Sequence, residues 1–265
     1  PKDSDYLRRT LREILLLKHL KHEHLILLEA AFMYYQNENI FIGFVTQLMK
    51  MNMRKMLETY SMSMTEKHIK FFMYQLFLGL DYLHFNGILH RDLKPDNILV
   101  NNLNHLQIAD FGWARVMPRD DADFTRVFAN IHYRAPEICL QVEHIGPPVD
   151  IWAVGCIFFE VLECGANLFQ SRQSADLVEE IVKKFGSPST EDLGFLDNLG
   201  MIQFIQKVGK FPKTRPSQYL KLPLDPAGMD LLDQCLHFDP NKRISTSAAL
   251  NHPYFAELFE AYVVE

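Results

Sequence analysis

No stretch of this chain is long and apolar enough to span a bilayer. The longest run, IWAVGCIFF at 151–159, is closed by Glu160. It falls well short of the ~20 residues a spanning helix needs and reads as a buried helix. A basic excess is also lacking: 27 Lys and Arg stand against 33 Asp and Glu, a net charge of −6. Without a polybasic block, neither nucleic acid nor a membrane is an expected partner. Cysteine is scarce. Cys139, Cys156, Cys164 and Cys235 are scattered with no C-x-x-C, which argues against a disulfide framework and for free thiols in the cytoplasm or nucleus. No signal peptide, internal repeat or low-complexity tract is read, and the chain opens on proline, as expected of a sequence that begins inside a longer protein. What remains is an ordinary globular composition, 265 residues with 48% hydrophobic and 23% charged, enough for one large domain or two modest ones.

The pattern along the chain changes once. Residues 6–21, YLRRTLREILLLKHLK, repeat apolar residues at helical spacing. AAFMYYQNENIFIGFVTQL then reads as two strands around the polar turn QNEN. From MKMNMRKMLE onward helical periodicity dominates, strongest in TEKHIKFFMYQLFLGLDYLHF. Short β-like runs, ILV and LQIADF, flank the turn NNLNH, and residues 113–150 are irregular. Further helices follow, interrupted by a proline-rich stretch from GSPSTEDL to LPLDPAG. His19, His22 and His24 read as a solvated helix end rather than a zinc site, since no cysteine or further ligand is near. The methionines of MKMNMRKM read as partly buried helix packing. Glu257, Glu260 and Glu265 read as a solvated face.

One stretch resists that bland reading. HRDLKPDN, residues 90–97, sets two aspartates, an arginine, a lysine and an asparagine between the apolar runs GIL and ILV. Buried without partners, those groups would cost several kcal/mol. Thirteen positions after Asn97 stands Asp110 in ADFG, and YRAPE closes at Glu137. These three signatures, in this order, resemble those of the eukaryotic protein kinases over essentially the whole chain.

The resemblance implies an α+β, bilobal kinase fold. Residues 1–49 would form a partial N-lobe holding the αC-type helix, two strands and the hinge, and residues 50–265 a helical C-lobe with catalytic loop and activation segment. It implies a Ser/Thr kinase, because K-P follows H-R-D-L, with ATP and Mg²⁺ as cofactors. Asp92 would accept the hydrogen bond of a substrate hydroxyl, Lys94 would neutralise the transferring phosphoryl, and Asn97 and Asp110 would ligate the metal. Gly112 would let the backbone turn after Asp110. Leu99 would floor the adenine pocket, and Thr46, Gln47 and Met49 in VTQLM would form its gatekeeper and hinge. Glu13 matches the helix glutamate that pairs with a strand lysine. That lysine and the G-x-G-x-x-G loop do not occur in this sequence, and the family's first three strands are expected to precede residue 1.

Thr125 matches an activating phosphothreonine, with Arg12, Arg91 and Arg115 as its phosphate pocket. Asp150 would anchor the catalytic loop, and Glu137 and Arg243 would form a buried ion pair. Arg134, the insert around 187–225 and HFDPNKRIS resemble the group holding the cyclin-dependent and MAP kinases. The expected partners are protein substrates with Ser-Pro or Thr-Pro, an upstream activating kinase and a cyclin-like or docking partner. Departures are Val127 where MAP kinases carry a second phosphorylated residue, Asn52 for a ribose-contacting aspartate, Asn130 for a threonine, His132 for a tryptophan and Trp113 for a leucine. The alternative these departures keep open is a catalytically silent kinase-like scaffold.

Overall fold

Leucines at helical spacing, among basic residues, wind α1 (Lys2–His19), whose last turn carries Lys18 and His19 where cations suit the helix dipole. The computed structural model describes residues 2–37, 39–117, 130–221 and 224–260. Next comes an antiparallel hairpin, β1 (Leu28–Gln36) and β2 (Asn39–Thr46), in register from Ala30 opposite Val45 to Gln36 opposite Asn39. The chain then passes through β3 (Met51–Asn52) into α2 (Met53–Tyr60) and α3 (Glu66–Phe85). Thr65 starts α3 with a capping box: its hydroxyl accepts from His68 N while the His68 ring accepts from Thr65 N.

Short strands follow, β4 (Ile88–Leu89), β5 (Ile98–Val100), β6 (Leu106–Ile108) and β7 (Arg115–Val116). They pair as β3-β5-β6 and β4-β7, all antiparallel. The C-terminal half adds α4 (Pro136–Cys139), α5 (Pro148–Leu162), α6 (Ser174–Phe185), α7 (Leu199–Val208), α8 (Pro226–Cys235), α9 (Thr246–Leu250) and α10 (Ala256–Glu260).

IWAVGCIFF lies within α5, which is buried from Val149 to Val161. A helix apolar all round belongs in a core. Gly155 lets α8 approach it: a Cβ there would come 2.7 Å from Leu236 Cγ. Trp152, fully buried, stacks on Phe169 at 5.9 Å. Met53 and Met56 are buried on α2. Among the described residues no helix is long and apolar enough to cross a membrane.

Two bland expectations need correction. His24 is buried, and its ring donates to Leu106 O at 3.0 Å. His22 stacks on Tyr82 at 4.9 Å. The segment leaving α1 crosses β6, where Ile26 N donates to Ile108 O, and this buries His24 while His19, at the helix end, is exposed as expected. Glu257 is not merely solvated either. It takes Lys70 Nζ at 3.0 Å, and buried Lys70 also reaches Asp225 and Glu66. Glu265 lies outside the described residues. The proline-rich insert contains α7 and is pinned by Asp192, which accepts from Ser189, Lys213 and Lys242.

Candidate active site

Two strand pairs bring the site together. β4 lies on β7, and β5 lies on β6. The loop joining β4 to β5 therefore faces the loop joining β6 to β7, and these carry HRDLKPDN and ADFG. A direct tie, Ala109 N to Asn97 O at 2.9 Å, closes the two together.

In the first loop Asp92 is 4% exposed. Its Oδ2 accepts from Lys94 Nζ at 2.8 Å and from Asn97 Nδ2 at 3.1 Å. Asn97 Nδ2 also donates to Asp92 O at 2.8 Å. Asp92 Oδ1 is buried and has no hydrogen-bond partner among the described residues. One carboxylate oxygen is thus held by two donors while the other is left to accept. His90 supports the loop from beneath. Its Nδ1 accepts from Asp92 N at 3.3 Å, so the proton sits on Nε2, which donates to Ala109 O at 3.0 Å.

The loop is fastened from α5. Asp150 Oδ1 accepts from Arg91 N at 2.8 Å, and Oδ2 accepts from His90 N at 2.9 Å and from His84 Nε2 at 3.0 Å. Burial alone would push the Asp150 carboxyl up; the His84 and backbone donors outweigh it and hold it below the usual carboxylate range. Arg91 needs the anchor because its φ is 69°, a left-handed conformation that costs about 1–3 kcal/mol for a bulky residue.

In the second loop Asp110 is exposed and also left-handed, at φ 62°. This corrects the role expected of Gly112, whose φ is not left-handed: the turn is made at Asp110. Gly112 serves close approach instead, since a Cβ there would sit 3.3 Å from Asp110 Oδ1 and 3.7 Å from Arg9 Cβ on α1. Phe111 is fully buried, edge-on to His90 at 5.2 Å. Glu13 Oε1 accepts from Phe111 N at 3.1 Å. Burial first, and then the Asp110 charge, raise the Glu13 carboxyl above its usual range. Among the described residues no lysine or arginine pairs with Glu13.

The remaining candidates are dispersed around these loops. Thr46 ends β2, Gln47 is exposed, and Met49 packs half-buried on the core. Leu99 sits half-buried in β5 between Asn52 and Gln107. Asn52 is spent as a helix cap, its Oδ1 accepting from Lys55 N at 2.9 Å. Arg12 donates to Gly112 O at 3.2 Å, and Arg115 donates to Ala114 O at 3.0 Å. Thr125 lies outside the described residues. Glu137 and Arg243 meet in a buried fork at 2.6 and 2.7 Å. The Asn130 side chain accepts from His132 N at 3.1 Å and bonds neither Asp92 nor Lys94.

One cluster was not foreseen. Arg54 of α2 pairs with Glu160 of α5 and donates to Tyr133 Oη at 2.7 Å, and that hydroxyl donates to Glu160 at 2.5 Å. Arg54 also reaches Asp96 at 3.4 Å. It ties the catalytic loop to the residues before APE. Nothing local marks Arg54 for this, since Glu160 lies 106 positions away.

A nucleotide-bound divalent ion fits this donor set. Asn97 spends its nitrogen on Asp92, which leaves its oxygen for a ligand, and Asp110 is an exposed carboxylate. Among the described residues no three His, Cys, Asp or Glu cluster to hold a metal, so phosphate oxygens would have to complete the shell.

The model of the protein kinase domain family matches residues 1–255. Mitogen-activated protein kinase 3 of Arabidopsis thaliana is 37% identical over 257 residues, 96% of this chain and 68% of its own length. Mitogen-activated protein kinase HOG1 of Arthrobotrys oligospora is 41% identical over 249 residues, 94% and 68% respectively. Extracellular signal-regulated kinase 1 of Dictyostelium discoideum is 38% identical over 257 residues, 96% of this chain and 48% of its own.

Proposed function

We infer the chemistry of this chain from its family: it belongs to the eukaryotic protein kinases of the Ser/Thr type, in the group holding the MAP and cyclin-dependent kinases. The reaction proposed is transfer of the γ-phosphoryl of Mg-ATP to a serine or threonine of a protein substrate. The observation that carries it is the divided Asp92 carboxylate, with Oδ2 bound by Lys94 and Asn97 and Oδ1 without a hydrogen-bond partner among the described residues. That oxygen lacks a donor, and a substrate hydroxyl brought to it would supply one and have its oxygen aligned for attack. Lys94, already beside Asp92, supplies positive charge where the phosphoryl departs. Asn97 and Asp110 would hold the metal, whose chemistry is to neutralise the phosphate charge. Glu13 would take the lysine of the family's strand.

Within the group we favour a MAP-kinase-like enzyme, since MAP kinases of plants, fungi and Dictyostelium match nearly the whole chain. Proline-directed substrates and activation by a kinase acting on Thr125 follow from that kinship. With Val127 in the second lip position, a single phosphate would suffice. The cytoplasm or nucleus is the proposed location.

A second reading, a silent scaffold, draws on one observation: Asn130 turns to His132 rather than to Asp92 or Lys94. Radiolabelled transfer by the intact protein to a Ser-Pro peptide, its Ser-Ala counterpart and an Asp92→Asn control separates the two. Label entering the Ser-Pro peptide with wild type alone supports the enzyme. No label with wild type after treatment with an activating kinase supports the scaffold.

A further inference from the structure

Three consecutive residues behind Asp110 are gripped by one face of α1. Glu13 accepts from Phe111 N, Arg12 donates to Gly112 O, and the Arg9 guanidinium carbon lies 3.6 Å from the centroid of the Trp113 ring. Positions 9, 12 and 13 are three and four apart and so share a helix face. Two of these grips touch only backbone, which any sequence supplies. The third needs two particular side chains, and it falls where this chain carries tryptophan in place of the leucine of the family it resembles.

At 3.6 Å the guanidinium lies in contact over the middle of the ring, where the indole face is most negative. Arginine suits this because its planar, weakly hydrated cation stacks flat without losing much solvation. Both residues are half-buried, which keeps the attraction from full screening by water. Beside it, a Cβ on Gly112 would lie 3.7 Å from Arg9 Cβ, so α1 passes next to this segment. The stack therefore lies three residues from the left-handed Asp110, in the unpaired segment between β6 and β7.

We propose that Arg9 and Trp113 are a positioning pair: their stack fixes the backbone of residues 110–113 to α1, so that a shift of α1 carries Asp110 with it. The catalytic consequence rests on the kinase reading above; the pairing itself does not. Neither residue touches substrate, so the expected signature is on turnover rather than on peptide binding.

The test uses the intact protein and the variants Arg9→Gln, Trp113→Leu, Trp113→Phe and the double Arg9→Gln/Trp113→Leu. Each disruptive single variant should lower kcat about three- to tenfold and change peptide KM less than about twofold, the range expected of a partly exposed cation–π contact. The double variant should be no slower than the slower single, and Trp113→Phe, which keeps a ring face, should recover most of the rate. Two further readouts do not need activity. Amide exchange over residues 110–116 should quicken in Arg9→Gln. Acrylamide quenching should rise as well, and Trp113 reports it, because the other tryptophan, Trp152, is fully buried. Losses that multiply in the double variant would overturn the proposal, as would unchanged exchange and quenching in Arg9→Gln. If wild type transfers no phosphate, the kinase reading fails, and exchange and quenching still decide the pairing.

Discussion

Removing Arg243 should destabilise this protein more than removing a partner from any of its exposed ion pairs. Its side chain is 0% exposed and that of Glu137 is 3% exposed. All five guanidinium N–H groups are spent: two on the Glu137 oxygens and the rest on Pro148 O, His237 O and Phe238 O. The guanidinium also lies 4.9 Å over the Trp152 ring. Arg243→Ala strands the Glu137 carboxylate in the core, and breaking one side of a buried pair costs about 3–5 kcal/mol. For a domain of this size that corresponds to a fall in melting midpoint of roughly 6–20 °C. Arg243→Lys should recover only part, because an ammonium cannot reproduce the fork. Replacing both partners with apolar residues, Glu137→Leu with Arg243→Met, should hurt less than Arg243→Ala alone, since no charge is then left buried. Circular dichroism melts of the four proteins measure this. A shift under about 2 °C for Arg243→Ala, or a double variant no more stable than Arg243→Ala, would refute the reasoning.

Further outcomes can be checked alongside. Asp110→Asn should abolish the rise in melting midpoint that saturating Mg-ATP gives the wild type, about 2.7 kcal/mol of stabilisation at one hundred times Kd; an undiminished rise would remove Asp110 from the metal site. Tyr133→Phe takes a partner from both Arg54 and Glu160 and should cost about 1–3 kcal/mol in thermal or chemical unfolding. Asp192 is nearly buried; its Lys242, Lys213 and Ser189 donors override the upward push of burial and depress its carboxyl well below the usual range. A depressed group stabilises the fold above the unfolded-state value and loses that contribution as pH falls. The stability gap between wild type and Asp192→Asn should therefore be full at neutral pH and shrink below about pH 4. A gap independent of pH would show that Asp192 acts through packing.

The polar constellation of the candidate site was legible because its groups sit within eight residues of one another. HRDLKPDN carries acceptor, cation and amide in a stretch too polar for its apolar flanks, and ADFG repeats the oddity nearby. α3 and α5 were legible for another reason: long helices print their period, or their lack of a polar face, on the sequence. β3, β4 and β7 are two residues each, and no pattern can announce a strand so short; pairing across the chain creates it. The same holds for Arg54 with Glu160 and for Lys70 with Glu257, 106 and 187 positions apart. A charged residue on an amphipathic helix reads as solvated until the fold brings a partner to it. Gly112 shows a subtler limit. Its presence was readable, but whether it serves a turn or a close approach depended on where α1 lies.

The two loops of the site are held by unequal anchors, and the inequality bears on control. Each loop contains one left-handed residue, Arg91 or Asp110, which would relax if its anchor let go. The first is held by Asp150, fully buried and accepting three hydrogen bonds that keep it anionic. The second is held by Glu13, half-buried, accepting one hydrogen bond and pushed toward its neutral form by burial and by Asp110. Freeing Asp92 would mean breaking a saturated network inside α5. Freeing Asp110 means breaking the Glu13 bond, the Arg12 contact to a carbonyl and the Arg9 stack on one face of α1, together with the Phe111 packing on His90. A partner or modification that rolls α1 would therefore act first on the loop carrying Asp110, while Asp150 keeps the loop carrying Asp92 fastened to α5.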